Sequence, residues 1–439
     1  MRFKDSRGIE ITAHQSSSVE RYDRALDLLA SYFMDPLAEI DAALQEDPDF
    51  VSGHCLRAAI GVLAAERAGE SLLEQSLQHG ARLAERATER EYRHFAAAHA
   101  WFDGDFHRAL ELYGKIVVDY PRDLLALQVA HVCDFYLGQQ RMLRDRVAQT
   151  LPHWSAGVPG YGYLLGMLAF GLEETNLFEM AEVQGREALA LNRRDVWAIH
   201  AVTHVYEMTG RVEQGVEWLD SRVDDFAPQN AFAYHNFWHL ALFLLEQGDT
   251  ARVLELFDRN VWPKQSTVAL EMVDAASLLY RLHLRGVDVG ARATSVADAW
   301  SDASYHGYYA FNDIHALMAF LVDGRVRDAR ALLGELERRA ADDDSNAAMS
   351  REVGVPLARA LLAFQEERYT EVTETLLPLR LSAQRFGGSN AQRDVIEQVL
   401  AEAALRSGSR SLLRALVAER RLLRPRNPWA HALERRAAM

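Results

Sequence analysis

WAIHAVTHVYEMTGRVEQGVEWL, residues 197–219, and NAFAYHNFWHLALFLLEQGDTARVLELFD, residues 230–258, read as two successive helical hairpins of one design. In each, an amphipathic first helix runs into a glycine, Gly210 or Gly248, and a second helix follows at once. Apolar residues recur at helical spacing on both sides of the breaker, and strand-like alternation is absent. Such a pair cannot bury its apolar face alone, so it calls for further copies on either side.

The copies are there. A breaker recurs at Gly104, Gly138, Asn176, Gly210, Gly248, Gly286, Gly324 and Gly408, with the turn near Glu367 filling the gap; most steps are 34 or 38 residues. That is close to the 34-residue tetratricopeptide unit. Five positions after each breaker stands Ala109, Leu143, Ala181, Gly215, Val253, Ala291, Ala329, Val372 or Leu413. Nine positions after stands Tyr113, Val147, Gly185, Leu219, Phe257, Ser295, Leu333, Leu376 or Val417. This is a degraded small-x3-large pattern: a small side chain where two helices approach closely, and a larger one plugging the groove to the next repeat. Pro121 and Pro228 follow their helices, where proline cannot continue them. The reading is an all-α, tetratricopeptide-like array of helical hairpins stacked into a right-handed α-solenoid around a concave groove or pocket. It predicts a lead-in over 1–20, the array over 21–424 and an Arg-rich cap over 425–439. The most evident loop is AADDDSNAAMSREVG (340–354), with turns at 153–163 and 384–392.

Bulk composition narrows the functional classes. The 439 residues are 49% hydrophobic and 25% charged, as in folded globular proteins. The formal charge of −15 argues against a partner rich in phosphate, so neither nucleic acid nor an anionic membrane surface is expected. Arg406, Arg410, Arg414, Arg420, Arg421, Arg424, Arg426, Arg435 and Arg436 crowd the C-terminal end and read as a solvated helical face. Only Cys55 and Cys133 occur, far apart, which fits reduced thiols rather than a disulfide framework. MRFKDSRGIEITAH lacks the apolar core of a secretory signal, and no uncharged run approaches the ~20 residues that cross a bilayer, so a cytoplasmic protein is expected.

Chemistry concentrates on the first helices. The chain has 16 histidines, and two successive first helices each carry a His-x3-His pair: His200 with His204, and His235 with His239. Residues four apart share a helix face and the seventh returns to it, so Glu207 lies on the stripe of His200 and His204. Counted back from their breakers, His94, His200, His239 and His315 stand nine or ten positions before, Asn312 twelve and His235 thirteen, with Asp313 beside Asn312. Trp197, Tyr234, Trp238, Tyr308 and Tyr309 flank them, and His131 lies near the same stripe. His200, His204, Glu207, His235, Asn236, His239 and Asp313 are therefore the expected catalytic set. His131, Trp197, Tyr234, Trp238, Tyr308, Tyr309, Asn312 and His315 are the expected binding set. His79, His107, His153, His283, His306 and His431 fall off the stripe and read as structural. Paired histidines at this spacing can clip a metal, but neither pair has the internal Glu of HExxH, and no metal ligand is assigned. The cofactor stays open. No G-x-G-x-x-G or G-x-x-x-x-G-K-[ST] phosphate cradle and no G-x-S-x-G elbow occurs.

HAxxHVxExxGR at His200–Arg211 and HNxWHxALFxLExG at His235–Gly248 resemble the family of tetratricopeptide repeat protein 38, and the resemblance extends from about Tyr22 to about Leu405. It implies a tetratricopeptide-like solenoid curved enough to enclose a pocket, and marks His200, His204, Glu207, His235, Asn236, His239 and Asp313 as family-like positions. It implies no particular reaction.

Three functions stay open. A pocket lined by imidazoles, carboxylates and aromatic rings can bind a small organic molecule or act on it by acid/base, hydrolase-like chemistry. The same groove can instead hold a peptide or partner helix without catalysis. Metal binding is the third, and self-association is compatible with each.

Overall fold

The computed structural model describes residues 1–438. Among them helices follow one another almost end to end, and the strands are Arg2–Lys4 and Glu10–Thr12, an antiparallel pair with Phe3 opposite Ile11. The fold class is all-α, built of tetratricopeptide-like hairpins. No helix among the described residues is long and apolar enough to cross a membrane.

The nine breakers all do the same job. Gly104, Gly138, Asn176, Gly210, Gly248, Gly286, Gly324, Glu367 and Gly408 all have positive φ, from 61° at Glu367 to 83° at Gly104. A left-handed residue just past a helix turns two N–H groups back onto the last carbonyls. At Gly210 these bonds are Gly210 N–H to Glu207 C=O (3.1 Å) and Arg211 N–H to Tyr206 C=O (2.8 Å). Glu367 adopts this conformation with a side chain attached, at a steric cost of roughly 1–2 kcal/mol. The next helix then starts at once: Asp105 and Asp249 each accept a bond from the backbone N–H three residues on.

The second-helix register is the packing register. Ala109, Leu143, Ala181, Val253, Ala329, Val372 and Leu413 are buried, as are Tyr113, Val147, Leu219, Phe257, Leu376 and Val417. Gly215 shows why the first position is small: a Cβ there would lie 2.3 Å from the Phe243 ring. The register slips in one repeat. Ala291 is exposed and Ser295 half-buried, because the helix begins only at Arg292 and buries Ala293, Val296 and Ala297 instead. Leu333 is also only half-buried, its place taken by Leu332 and Leu336. The loop expected over 340–354 is mostly helical: Ser345–Met349 passes through a π-turn, Ser350–Gly354, into Val355–Gln365. Its acidic run has local uses. Asp344 caps the helix through the Ala347 N–H, and Asp342 and Asp344 pair with Arg339.

The chain divides into two compact units, Met1–Val202 with Asp225–Phe232, and Thr203–Asp224 with Ala233 onward. In the first unit the N-terminal hairpin is tied down by buried Glu91, whose carboxylate accepts from Thr12 N–H (2.9 Å), Thr12 Oγ1 (2.8 Å) and Ser52 Oγ (2.5 Å). In the second unit Ala269–Leu284 packs between Ala233–Gln247 and Ala310–Val322, and also meets Asn390–Arg406. Arg281, 1% exposed, makes that last contact by donating to the carbonyls of Ala391 (3.0 Å) and Gln392 (3.1 Å).

Candidate functional site

The unit boundary falls within helix Val196–Met208, after Val202, and it separates the expected site residues. In the first unit His200 packs among aromatic rings: Phe170 at 5.3 Å, Trp197 at 4.9 Å and Phe232 at 5.0 Å between centroids. Tyr32 stacks on Trp197 at 5.4 Å, and His131 lies edge-on to Trp197 at 5.8 Å. Burial brings His131 down to about 3, with Arg146 adding to the effect, so its ring stays neutral. This cluster is an apolar box. His94 has a structural explanation: its Nε2 meets Asp123 at 2.8 Å beside Arg90, whose Nη1 donates to the same carboxylate at 2.7 Å.

The titratable cluster belongs to the second unit. His239, fully buried on Ala233–Gln247, directs Nδ1 to Glu207 Oε2 at 2.8 Å. His235, one turn earlier, directs Nδ1 to Asp274 Oδ2 at 2.6 Å. The two imidazoles lie edge to face, centroids 4.8 Å apart, and His204 meets His239 at 4.5 Å. One ring nitrogen from each of His204, His235 and His239 lies within 4.8 Å of the other two. Trp238 stacks on His235 at 5.2 Å, and the Arg281 guanidinium sits 5.4 Å from the Trp238 ring centre. Asn236 is fully buried, and neither end of its amide hydrogen-bonds to a described residue.

Charge in this interior is finely balanced. Burial pushes Glu207 up to about 7, with His204 and Arg424 opposing it, so Glu207 changes charge near neutrality. Burial also raises Asp274, partly offset by His235. Arg281 is brought down to about 10 by burial. His315, brought down to about 4 chiefly by burial, donates its Nδ1–H to the Phe311 carbonyl, 2.7 Å away. A tetratricopeptide interior that only needed packing would have no reason to hold so many desolvated ionisable groups.

The other expected residues are placed differently. Asp313 Oδ1 accepts from the Gly307 N–H at 2.9 Å, so it anchors the loop before its own helix. Asn312 is buried on the same helix, Tyr309 is buried against Phe311, and Tyr308 and Tyr234 are half-buried. Asp274 and Arg281 are neighbours of this cluster that the sequence did not single out. A signal existed: Asp274 stands twelve positions before Gly286, the register of Asn236 before Gly248 and of Asn312 before Gly324.

Against the expected solvated arginine face, the C-terminal arginines divide. Arg421 and Arg436 lie on the surface, but Arg420 and Arg424 have side chains only 10% and 7% exposed and both reach Asp394. Together with Glu207 and Arg281 these three line a cavity of about 20 Å³, room for a single water.

No protein-family model matches the chain. Among solved structures it is similar to the APC/C hetero-tetramer Cut9–Hcn1, at 10% identity over 97% of this chain and 70% of that one, with a TM-score of 0.48. It is also similar to the human IFIT1 dimer with m7Gppp-AAAA, at 12% identity over 98% and 95% with a TM-score of 0.45. The P58(IPK) TPR domain aligns at 14% identity over 90% and 99%, with a TM-score of 0.22. At these scores the likenesses assign no function.

Proposed function

We propose that the second unit holds a small-molecule site for acid/base, hydrolase-like chemistry, with His239–Glu207 and His235–Asp274 at its centre. The observation that carries it is the pair of buried imidazoles, each held at Nδ1 by a carboxylate. An ionised carboxylate at Nδ1 makes that nitrogen the donor and puts the lone pair on Nε2. His239 then acts as general base, taking a proton from an attacking water, while Glu207 steadies the imidazolium. The Asn236 amide supplies a donor toward a developing oxyanion, and His235, held by Asp274 in the same way, stands beside it as a second base. The motifs of His200–Arg211 and His235–Gly248 keep membership of the tetratricopeptide repeat protein 38 family as part of this reading.

The test is turnover of a panel of fluorogenic esters and amides by the full-length protein, His239→Ala and Glu207→Gln. We expect turnover by the wild type that falls about 10²–10⁴-fold in both variants, the range general-base catalysis supplies. Wild-type turnover no greater than that of His239→Ala would sink the reading.

One observation favours a second reading. Three imidazoles converging within 4.8 Å, two with carboxylates behind them, are also the donor set and outer shell of a divalent-metal site. A non-catalytic peptide scaffold is the third, and rests on the repeat architecture alone.

A further inference from the structure

The reading above makes no use of a cavity of about 280 Å³ in the C-terminal part of the second unit. Helices Asn390–Arg406, Arg410–Leu423 and Pro428–Ala438 supply most of its wall. Its lining includes apolar Ile396, Leu416, Leu433 and the Trp429 ring, and charged Arg380, Arg393, Arg420 and Arg424 with Asp394, Glu397 and Glu419. Asp394, Arg420 and Arg424 also line the small cavity that contains Glu207, so the two spaces share a wall.

The cations there outnumber the anions, and the pairing shows where the surplus falls. Arg380 reaches both Glu397 (3.2 Å) and Glu419 (2.7 Å). Arg420 takes Asp394 with two nitrogens, at 2.7 and 3.0 Å, and lies over the Trp429 ring. Arg424 is left with the same carboxylate at 3.3 Å, and its other terminal nitrogen donates to the Met208 sulfur at 2.8 Å. A thioether is a weak acceptor. Two buried guanidiniums thus share one carboxylate, and a buried guanidinium calls for a full anionic partner.

We propose that this cavity binds a small monocarboxylate with an apolar body, its carboxylate on Arg424 and its body against Trp429, Leu416 and Ile396. The volume is near the lower end for ligand pockets, which suits one compact apolar group. The proposal deepens the acid/base reading by naming the substrate class: the pocket anchors the molecule at the wall it shares with Glu207. Binding itself does not need Glu207.

The experiment is calorimetric titration of the full-length protein with 4-phenylbutyrate and with 4-phenylbutyramide, which differ only in the charged group. The variants are Arg424→Met and Leu416→Trp, each checked by circular dichroism. Wild type should prefer the acid by about ten-fold or more, as a charge-assisted pair requires. Arg424→Met should lose that preference, and Leu416→Trp should lose both ligands by filling the cavity. If Arg424→Met fails to fold, the wild-type comparison and Leu416→Trp decide. Equal affinity for acid and amide, no binding of either, or a folded Arg424→Met that keeps the preference would overturn the proposal. Retained acid binding without any esterase turnover would instead count against the catalytic reading alone.

Discussion

Glu207 and His239 come from different repeats, yet their side chains meet at 2.8 Å inside the second unit. The carboxylate ionises near neutrality, because burial has pushed it up to about 7. Activity that needs an ionised Glu207 behind His239 should therefore rise with pH through about 7. In Glu207→Gln this limb should vanish along with most of the rate. The stability effect has the opposite sign. A carboxyl raised above its ordinary 4.5 contributes fully below that value, and the contribution is lost as pH rises through about 7. Thermal melts at pH 5 and pH 8 should accordingly differ less in Glu207→Gln than in wild type.

Asp274 plays the same part for His235, at 2.6 Å. Asp274→Asn keeps the shape but presents an amide that no longer enforces Nδ1 as the donor. Turnover should fall by about 10–10²-fold with little change in melting temperature, as for loss of an orienting partner. An unchanged rate in a folded Asp274→Asn protein would remove His235 from the mechanism.

Elemental analysis of purified protein separates the metal-free and metal readings. Near-stoichiometric zinc or iron in wild type, lost in both His204→Ala and His239→Ala with the fold intact, would move the chemistry to a metal-bound water. Metal below a tenth of stoichiometry would leave the imidazoles to act as bases.

Gly215 tests the repeat register itself. Its missing Cβ lies 2.3 Å from Phe243, so Gly215→Leu should destabilise by about 1–3 kcal/mol through overpacking. Phe243→Ala alone should cost about 3–5 kcal/mol. The double variant should fall short of the sum, because removing the ring makes room for the leucine. Strict additivity in denaturant titrations would refute the contact.

Arg281 links Ala269–Leu284 to Asn390–Arg406 through two backbone carbonyls. Arg281→Met fills a similar volume but removes both charge-assisted bonds, at a cost of about 1–3 kcal/mol. Hydrogen exchange should quicken first in Asn390–Arg406. Uniform protection in the variant would show that the link is dispensable.

What the sequence alone determined is local and periodic. Helical spacing names the helices, and the breakers name their ends. Even Glu367, which has no glycine's licence for positive φ, was placed by the spacing of its neighbours. The His-x3-His pairs were legible for the same reason, since one helix carries both members and its geometry is known in advance. Tertiary structure alone decided the partners. Glu207 was expected beside His200 and His204 on its own helix face, but its hydrogen bond goes to His239 on the next first helix. Asp274 is one acid on a mostly apolar helix, and only the fold sets it against His235. Arg420 and Arg424 read as solvated members of a basic tail, and burial against Asp394 is what sets them apart from Arg421. Spacing along one helix is fixed by covalent geometry, whereas contact between helices depends on how whole repeats pack, and residue order does not print that.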